Sequence, residues 1–306
     1  MPRCFVTRRL PGDALNRLAA AHEVDVWPDR MPPAPEELRE RVAPAEGLLC
    51  LLTDRVDAAV LDAAPSLRVI SNFAVGADNI DVAAAKARGI AVGYTPDVLT
   101  EATADLAFAL LLAVTRRLPE GIAAVRDGEW KTWEPDWLLG RDVHGATLAI
   151  VGAGRIGHAV ARRAAGFGME VVLVGRGDPL APALARADFV SLHAPLTDET
   201  RHLVDEAFLR AMKPTAYLVN TARGGLVDQD ALAAALHEGA IAGAALDVTD
   251  PEPLPPDDPL LEAPNLIVLP HLGSATHATR ERMADLAVDN LLAGLAGEPL
   301  PDEFAG

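Results

Sequence analysis

The stretch TLAIVGAGRIGHAVARRAAGF, residues 147–167, decides the fold of this chain. A strand-like apolar run, 147–151, leads into the pattern G-x-G-x-x-G formed by Gly152, Gly154 and Gly157, and a helical pattern follows at once. In this setting the glycines permit a tight turn and bring the backbone close to a pyrophosphate, which the N–H groups at a helix start can bind. The stretch therefore predicts a dinucleotide-binding βαβ unit. A glycine-rich turn that only packs a helix on a strand is the alternative.

Short apolar runs continue the alternation of strands and helices on both sides of this stretch. From residue 148 onwards, six strands are predicted, at Leu148–Val151, Val171–Val174, Phe189–Leu192, Tyr217–Val219, Ala242–Leu246 and Leu266–Val268. Earlier in the chain, they are predicted at Cys4–Thr7, Val24–Trp27, Gly47–Leu52, Val69–Asn72 and Ile90–Val92. The pattern predicts an α/β protein with two Rossmann-like or flavodoxin-like domains, in which the cofactor domain is a doubly wound parallel sheet.

Two helical patterns indicate how the domains are connected. Leu99–Leu118 is apolar almost all round, and Glu281–Ala293 follows the last predicted strand. We expect the second helix to return and pack on the first domain, so that the cofactor domain is inserted into the substrate domain. The expected substrate domain is residues 1–98 and 281–306, and the expected dinucleotide-binding domain is residues 99–280.

Composition excludes several classes of partner. The chain has 306 residues, 50% of them hydrophobic, which is enough for about two domains. Its net charge of −17 disfavours nucleic acid and anionic membrane surfaces as partners. Two cysteines, Cys4 and Cys50, provide neither a disulfide framework nor metal-site spacing, and no apolar run is long enough for a signal peptide or a membrane span. We therefore expect a cytoplasmic protein with a small-molecule substrate and no bound metal.

The residue that follows the second strand of the cofactor domain bears on cofactor choice. An NAD site carries an acidic residue there for the ribose 2′-OH, but this strand ends Val174-Gly175-Arg176. Arg176 suits a 2′-phosphate, so NADP(H) is preferred and NAD(H) remains an alternative. In that alternative Arg176 is a solvated surface residue, and Asp178 supplies the acid after a shifted turn. The connection 177–187 is also short for a Rossmann crossover.

Three side chains beyond strand ends have complementary chemistry, and ligands of open α/β sheets bind at that edge. Arg223, in NTARGG, can hold a carboxylate or a carbonyl oxygen. His271, in LIVLPHLGSAT, is suited to acid/base catalysis, and Glu252, in DVTDPEPLP, can stabilise its protonated form. Each residue alone would be an ordinary loop residue. Together they have complementary roles and predict a catalytic centre.

Over essentially its whole length the chain resembles the D-isomer-specific 2-hydroxyacid dehydrogenases. The motifs that carry the resemblance are GAGRIG, LHAPLT, NTARGGLVDQDAL, AALDVTDPEP and PHLGSAT, in the family's order. Four further stretches, NFAVGADNID, GYTPDVLTEATADLA, EWKTWEPDWLLG and NLLAGLAGEPLP, are most similar to the glyoxylate/hydroxypyruvate reductases of that family. The resemblance implies an NAD(P)-dependent oxidoreductase that reduces glyoxylate or hydroxypyruvate.

The resemblance also implies a role for each site residue. His271 would donate the proton, Glu252 would orient it, and Arg223 would polarise the carbonyl, while the hydride would come from nicotinamide C4. The substrate-binding residues would be Leu52, Val75, Gly76, Arg223 and Trp133, with the N–H groups of Val75 and Gly76 on the carboxylate. The cofactor-binding residues would be Thr103, Gly152, Gly154, Arg155, Ile156, Gly157, Gly175, Arg176, His193, Ala194, Pro195, Thr200, Thr221, Ala222, Arg223, Asp247, His271 and Gly273.

Three tryptophans, Trp130, Trp133 and Trp137, lie in one short segment. Their ordinary interpretation is aromatic cover for a domain junction or a dimer core. In similar reductases this region is a dimerisation arm that can send a tryptophan into the partner's active site. The resemblance thus implies a homodimer, with an arm at about residues 119–145 and Trp133 as a candidate for substrate specificity.

Two other functions remain open at this point. One is a phosphoglycerate dehydrogenase or another D-2-hydroxyacid dehydrogenase, although there is no additional cation cluster for a phosphate. The other is a non-enzymatic NAD(P)-sensing protein of the corepressor type that keeps the fold. Retention of Arg223, Glu252 and His271 favours catalysis over sensing.

Overall fold

The computed structural model describes residues 1–304, and the chain divides into two compact units. Unit 1 is Met1–Leu99 together with Ala275–Gly306, and unit 2 is Thr100–Ser274. Residues 305 and 306, which belong to the expected substrate domain, lie outside the described residues. Each unit is built on one parallel sheet, which fits the α/β expectation.

Unit 1 has a five-stranded sheet in which every neighbouring pair is parallel and the order is β2-β1-β3-β4-β5. Its strands are β1 (Arg3–Val6), β2 (Glu23–Val26), β3 (Gly47–Cys50), β4 (Val69–Asn72) and β5 (Ala91–Gly93). Successive residues alternate between two core clusters: Phe5 belongs to one, and Cys4 and Val6 to the other. Helices therefore cover both faces of the sheet.

The helices of unit 1 are α1 (Ala14–Ala21), α2 (Pro35–Val42), α3 (Ala58–Ala63), α4 (Val82–Ala87) and α11 (His277–Ala296). Side-chain oxygens cap several of them: Asp57 accepts hydrogen bonds at the start of α3, and Thr276 accepts one from the N–H of Thr279 in α11. Helix α11 comes from the far end of the sequence and packs on β3, β4 and α1. It closes one face of a sheet whose strands all come from the first hundred residues.

Unit 2 has a six-stranded parallel sheet in the order β11-β10-β9-β8-β6-β7. Its strands are β6 (Thr147–Val151), β7 (Glu170–Val174), β8 (Phe189–Leu192), β9 (Tyr217–Asn220), β10 (Gly243–Leu246) and β11 (Leu266–Val268). Its helices are α5 (Thr100–Thr115), α6 (Leu118–Arg126), α7 (Arg155–Gly166), α8 (Leu180–Arg186), α9 (Glu206–Ala211) and α10 (Gln229–His237).

The helix expected over Leu99–Leu118 is α5, which ends three residues before the expected end. Helix α5 ends at Thr115, Arg117 adopts a left-handed backbone conformation with φ 54°, and α6 starts at Leu118. The reason is Pro119, because a proline ring inside a helix would collide with the carbonyl four residues earlier, which is that of Thr115. Proline is tolerated in the first turn of the new helix, where it lies here.

The short connection after β7 explains the strand order of unit 2. In that connection α8, of seven residues, carries the chain from β7 at the edge back past β6 to β8. A dinucleotide fold with a full crossover places its third strand beyond the second, giving the order 3-2-1-4-5-6. Here the order is 2-1-3-4-5-6, and the connections reverse direction between β6 and β8, where such folds bind ligands.

Within the described residues no helix is long and apolar enough to cross a membrane, and no group of three His, Cys, Asp or Glu side chains could hold a metal ion. Cys4 and Cys50 are free thiols in the core of unit 1. Burial raises the pKa of Cys4 to about 12 and that of Cys50 well above its usual value. Both thiols therefore stay protonated and act as small apolar side chains.

Candidate active site

Two glycines of the loop after β6 are required by the fold itself. Gly152 has φ 106°, and a Cβ there would lie 2.4 Å from the nitrogen of Ala194. A Cβ on Gly157 would lie 2.2 Å from the carbonyl oxygen of Gly152. Neither position can hold a side chain, because the loop packs directly against the end of β8 and then against its own helix α7.

Gly154 is different, since the fold of the loop does not need a glycine there. It adopts an extended conformation, with φ −81° and ψ −169°, and a Cβ there would meet no protein atom within 4 Å. It caps the start of α7, a twelve-residue helix whose first N–H groups have no acceptor within the helix. The free space beside Gly154, together with those N–H groups, fits the pyrophosphate of a dinucleotide. Arg155 and Ile156 are the first two residues of α7.

The strand ends of β9, β10 and β11 are aligned, which brings the predicted strand-end residues to one edge. Leu246 pairs with Asn220 on one side and with Val268 on the other. Beyond these strands the backbone N–H of Asp247 donates to the carbonyl of Asn220 at 2.8 Å, and the N–H of His271 donates to the carbonyl of Asp247 at 2.9 Å. The loops that carry Arg223, Glu252 and His271 therefore start from the same level of the sheet.

His271 and Glu252 form a direct pair. His271 Nδ1 lies 3.0 Å from Glu252 Oε2, and the other carboxylate oxygen, Oε1, accepts a hydrogen bond from the N–H of Thr249 at 3.1 Å. The two side chains are 28% and 29% exposed, so solvent reaches the pair without surrounding it. Because Nδ1 is engaged by the carboxylate, Nε2 is the ring nitrogen through which His271 can exchange a proton with a ligand.

Asp247 fixes the backbone that carries His271. Its carboxylate accepts hydrogen bonds from the N–H groups of Leu272 at 2.6 Å and Gly273 at 2.8 Å, while His271 itself has a left-handed φ of 56°. Burial raises the pKa of Asp247, and the hydrogen bond from Leu272 opposes that rise. A Cβ on Gly273 would lie 3.3 Å from both Asp247 Oδ2 and Thr103 Oγ1, so the structure brings these three predicted residues together.

Arg223 lies in a loop that is tied down at both ends. The buried Asn220 accepts from the N–H of Ala222 at 3.0 Å and donates to the carbonyl of Arg223 at 2.8 Å. The next residue, Gly224, packs so closely on the following loop that a Cβ would lie 1.9 Å from the carbonyl oxygen of Thr249. The loop of Arg223 therefore contacts the loop that holds Glu252, because Thr249 is also the donor to Glu252.

Two side chains beside these loops have unusual polar environments. Among the described residues, the hydroxyl of Thr221 is one of a few buried side-chain polar atoms without a hydrogen-bond partner. His193, after β8, pairs through Nε2 with the hydroxyl of Ser191 at 2.8 Å, and burial lowers its pKa to about 4. His193 is therefore a neutral imidazole at physiological pH. The unsatisfied hydroxyl of Thr221 fits a polar group of a bound ligand.

The loop after β7 contains the residues that bear on cofactor choice. The carboxylate of Asp178 accepts a hydrogen bond from the N–H of Gly175 at 2.7 Å, and Arg176 is exposed. Across from it, a hydrogen bond from Thr197 lowers the pKa of Glu199, and the charge of Arg176 adds to that effect. Arg176 is therefore close to the loop after β8, which contains Pro195 and Thr200; the hydroxyl of Thr200 donates to the carbonyl of Pro195 at 2.7 Å.

The three predicted substrate residues of unit 1 lie in its own strand-end loops. Leu52 follows β3 and is partly exposed, while Val75 and Gly76 follow β4 and are half-buried. Sequence reasoning missed two asparagines, Asn72 and Asn79, whose side chains connect these loops. The repeat of Asn within NFAVGADNID was the only available signal, and polar loop residues are too common for it to stand out.

The tryptophan segment is largely exposed in the isolated chain. Trp133 is 80% exposed and Trp130 is exposed as well, while Trp137 is half-buried. Helix α6, just before them, presents the apolar side chains of Ile122 and Val125 to solvent. Unit 2 therefore exposes large apolar side chains both in α6 and in the tryptophan segment.

Comparison with known proteins agrees with this geometry. The family model described as "D-isomer specific 2-hydroxyacid dehydrogenase, NAD binding domain" matches residues 108–273. The chain is 52% identical over 315 residues to "Glyoxylate reductase" of Korarchaeum cryptofilum (strain OPF8), an alignment that covers 98% of the chain and 95% of that protein. It is 48% identical over 319 residues to "Glyoxylate reductase/hydroxypyruvate reductase" of Homo sapiens, with 99% and 97% covered.

Solved structures give the same result. A protein from Thermus thermophilus superimposes with a TM-score of 0.94 at 53% identity, covering 99% of this chain and 100% of that one. An NADPH-dependent glyoxylate/hydroxypyruvate reductase from Sinorhizobium meliloti, solved with NADP and malonate, gives a TM-score of 0.86 at 35% identity, with 99% and 97% covered. The predicted fold class and family are thereby confirmed. The chain belongs to the D-isomer specific 2-hydroxyacid dehydrogenase family and is a nicotinamide-dependent dehydrogenase.

Proposed function

We propose that this enzyme reduces glyoxylate and hydroxypyruvate with NADPH. The observation that carries the proposal is the His271–Glu252 pair, 3.0 Å apart, on loops that begin at the same sheet edge as the loop of Arg223. These three groups are an acid, its carboxylate partner and an oxygen-binding cation, which is what reduction of a 2-keto acid requires. Curated relatives at 48–52% identity, named as glyoxylate or hydroxypyruvate reductases, support this substrate class.

The side chains of unit 2 would carry the proton transfer. A dinucleotide would be held by the Gly152–Gly157 loop and would supply the hydride for the carbonyl carbon. His271 donates a proton from Nε2 to the carbonyl oxygen, and Glu252 stabilises the imidazolium before that step and holds the ring after it. The guanidinium of Arg223 holds the substrate oxygens and stabilises the negative charge that develops on the carbonyl oxygen.

We propose a different role for each unit. Unit 2 is the proposed dinucleotide-binding domain, and unit 1 the proposed substrate domain, in which the N–H groups of Val75 and Gly76 bind the substrate carboxylate and Leu52 lines the site. A loop of successive N–H groups can bind an anion without any cation. Trp133 is the proposed specificity residue, acting from the partner subunit of a homodimer.

The proposed cofactor preference, NADP(H) before NAD(H), rests on the loop after β7. The carboxylate of Asp178 accepts the N–H of Gly175 at 2.7 Å and is thereby held on its own loop. Arg176 is exposed beside that loop and carries the charge that a 2′-phosphate needs. Of the solved neighbours, the Sinorhizobium meliloti enzyme is described as NADPH-dependent.

The homodimer is proposed on the apolar surface formed by α6 and the tryptophan segment, with an arm at about 119–145. Exposed apolar surface of this kind is typical of subunit interfaces.

The cytoplasm is the proposed location, since free thiols persist in a reducing compartment. Small keto acids are the proposed partners; neither nucleic acid nor membrane is, because the charge of −17 repels both.

The experiment that tests this function is a matrix of four acids and two cofactors. Glyoxylate, hydroxypyruvate, pyruvate and 3-phosphohydroxypyruvate are each offered with NADPH and with NADH, and cofactor oxidation is followed by absorbance. We expect the highest kcat/KM with glyoxylate or hydroxypyruvate. Best turnover of the phosphorylated acid would favour a phosphoglycerate dehydrogenase instead, and cofactor binding without any turnover would favour the sensing protein.

Cofactor choice needs its own variant. We expect Arg176→Gln to raise the KM for NADPH about tenfold or more and to leave that for NADH nearly unchanged, because only NADPH carries the 2′-phosphate. Arg210→Gln, which removes an exposed arginine of α9, is the matched control. An equal effect of Arg176→Gln on both cofactors would reject the role given to Arg176.

A further inference from the structure

Two asparagines in unit 1 join the two loops that hold the proposed substrate residues. The β3 loop, residues 51–54, contains Leu52, and the β4 loop, residues 73–79, contains Val75 and Gly76. Asn72 is the last residue of β4 and is fully buried, while Asn79 lies at the end of the β4 loop.

Asn79 binds the β3 loop through both hydrogens of its amide. Its Nδ2 donates to the carbonyl of Leu51 and to the carbonyl of Asp54, each at 3.0 Å. These carbonyls bracket Leu52 and Thr53, so one side chain fixes both ends of the β3 loop. Asp54 adds two hydrogen bonds to the same loop. Its carboxylate accepts the N–H of Leu51, within the loop, at 2.8 Å, and it accepts a hydrogen bond from Thr7, which follows β1.

Asn72 binds the β4 loop in a similar way. Its Nδ2 donates to the carbonyl of Gly76 at 2.9 Å and to Oδ1 of Asn79 at 3.0 Å. The carbonyl of Gly76 is therefore held by a side chain of strand β4. The hydrogen bond between the two asparagines fixes the orientation of both amides. An amide network with several polar partners has one productive orientation, which makes it stiff.

We propose that Asn72 and Asn79 are positioning residues that hold the β3 and β4 loops as one rigid element and thereby set the affinity for the substrate carboxylate. This inference rests on the proposed function, in which Val75 and Gly76 bind that carboxylate. N–H groups bind an anion well only when they are held in place before binding, since ordering a loop at that moment reduces affinity. In this role both asparagines act through the loops and not on the substrate itself.

The test uses Asn79→Asp, which keeps the size and the acceptor of Asn79 but removes both donors and turns a carboxylate towards two carbonyl oxygens. We expect the KM for glyoxylate to rise about tenfold or more, while kcat and the Kd for NADPH stay within about twofold. Such a split between KM and kcat identifies lost ground-state binding. The matched control is Asn16→Asp, which makes the same change on an exposed face of unit 1 and should leave all three constants unchanged.

A second readout does not depend on turnover. Hydrogen exchange of the free enzyme, followed by mass spectrometry, should become faster in residues 51–54 and 73–79 of Asn79→Asp and stay unchanged in unit 2. Asn79→Ala, which adds no charge, should give the same pattern and replaces Asn79→Asp if that variant fails to fold. Unaltered exchange in both loops would overturn the rigid element, and faster exchange with an unaltered KM would overturn its role in binding.

The two hypotheses fail in different ways. If the natural enzyme reduces none of the four acids, the proposed function is wrong, yet the exchange experiment still decides whether the asparagines hold the loops. If the natural enzyme turns over glyoxylate and both Asn79 variants unfold, the asparagines are required for stability, and the positioning role is rejected.

Discussion

Replacing Gly154 by alanine separates cofactor binding from stability. The φ and ψ of Gly154 suit alanine, and a Cβ there meets no protein atom within 4 Å. Alanine lowers the entropy of the unfolded chain, which stabilises the folded state by roughly 0.4–1 kcal/mol. Alanine is also a poorer helix cap than glycine, which destabilises the folded state by a similar amount. We therefore expect the free energy of unfolding of Gly154→Ala to lie within about 1 kcal/mol of the natural value.

Binding of the dinucleotide should respond very differently. The methyl group would occupy the space beside the helix start, where the pyrophosphate must approach the backbone most closely. Steric overlap of one methyl group in a packed site costs about 1–3 kcal/mol, which corresponds to a Kd for NADPH raised roughly five- to hundredfold. Fluorescence titration of bound NADPH gives the Kd, and urea denaturation of the same samples gives the stability.

Two other glycines supply the controls. Gly166, exposed at the last turn of α7 with nothing within 4 Å, should tolerate alanine without change in the Kd. Gly157→Ala should destabilise unit 2 by several kcal/mol, because its Cβ would lie 2.2 Å from a carbonyl oxygen. If Gly154→Ala bound NADPH as tightly as the natural enzyme, the pyrophosphate would not lie against this loop, and the assignment of the cofactor site would be wrong.

Three further predictions concern other parts of unit 2. Glu252→Gln should reduce kcat about a hundredfold with little change in the Kd for NADPH, because a neutral amide cannot stabilise the imidazolium of His271; near-natural turnover would contradict this role. The pKa of His193 is lowered to about 4, so the unfolded state binds its proton first as the pH falls. Stability is therefore lost between about pH 6.5 and 4, by roughly 3 kcal/mol at pH 4, and urea denaturation should find this loss absent in His193→Gln. Ile122→Glu should convert the proposed homodimer to a monomer in light scattering; a dimer that persists would exclude α6 from the interface.

The strands were predictable because each carries a local signal. All eleven predicted runs are strands, since parallel strands buried on both faces are nearly continuous apolar segments. The glycine pattern likewise specified the loop after β6. The end of α5 was predicted three residues too late, because local sequence patterns locate a helix better than they locate its ends.

The interior of the candidate site was only partly predictable. Strand-end position selected Asp247 as a ligand-binding residue, but not as the acceptor that holds the backbone beside His271. Nor did sequence distinguish Gly154, which leaves space for a ligand, from Gly157, which leaves space for the protein's own backbone. The distinction depends on whether a Cβ would lie about 2 Å or more than 4 Å from its neighbours in the folded loop, and residue types alone do not encode that distance.

The position of α11 in the sequence has a consequence for synthesis on the ribosome. The apolar side chains of α11, among them Met283, Val288 and Leu291, complete a core whose other half includes Val6 and Leu49. At about 5–20 residues per second, the nascent chain carries that half-core for roughly 10 to 35 seconds before its partner helix emerges. Unit 2, which is continuous, can fold during this interval. Vectorial synthesis therefore favours the later unit folding first and leaves the earliest strands of the chain without their covering helix until α11 has been made.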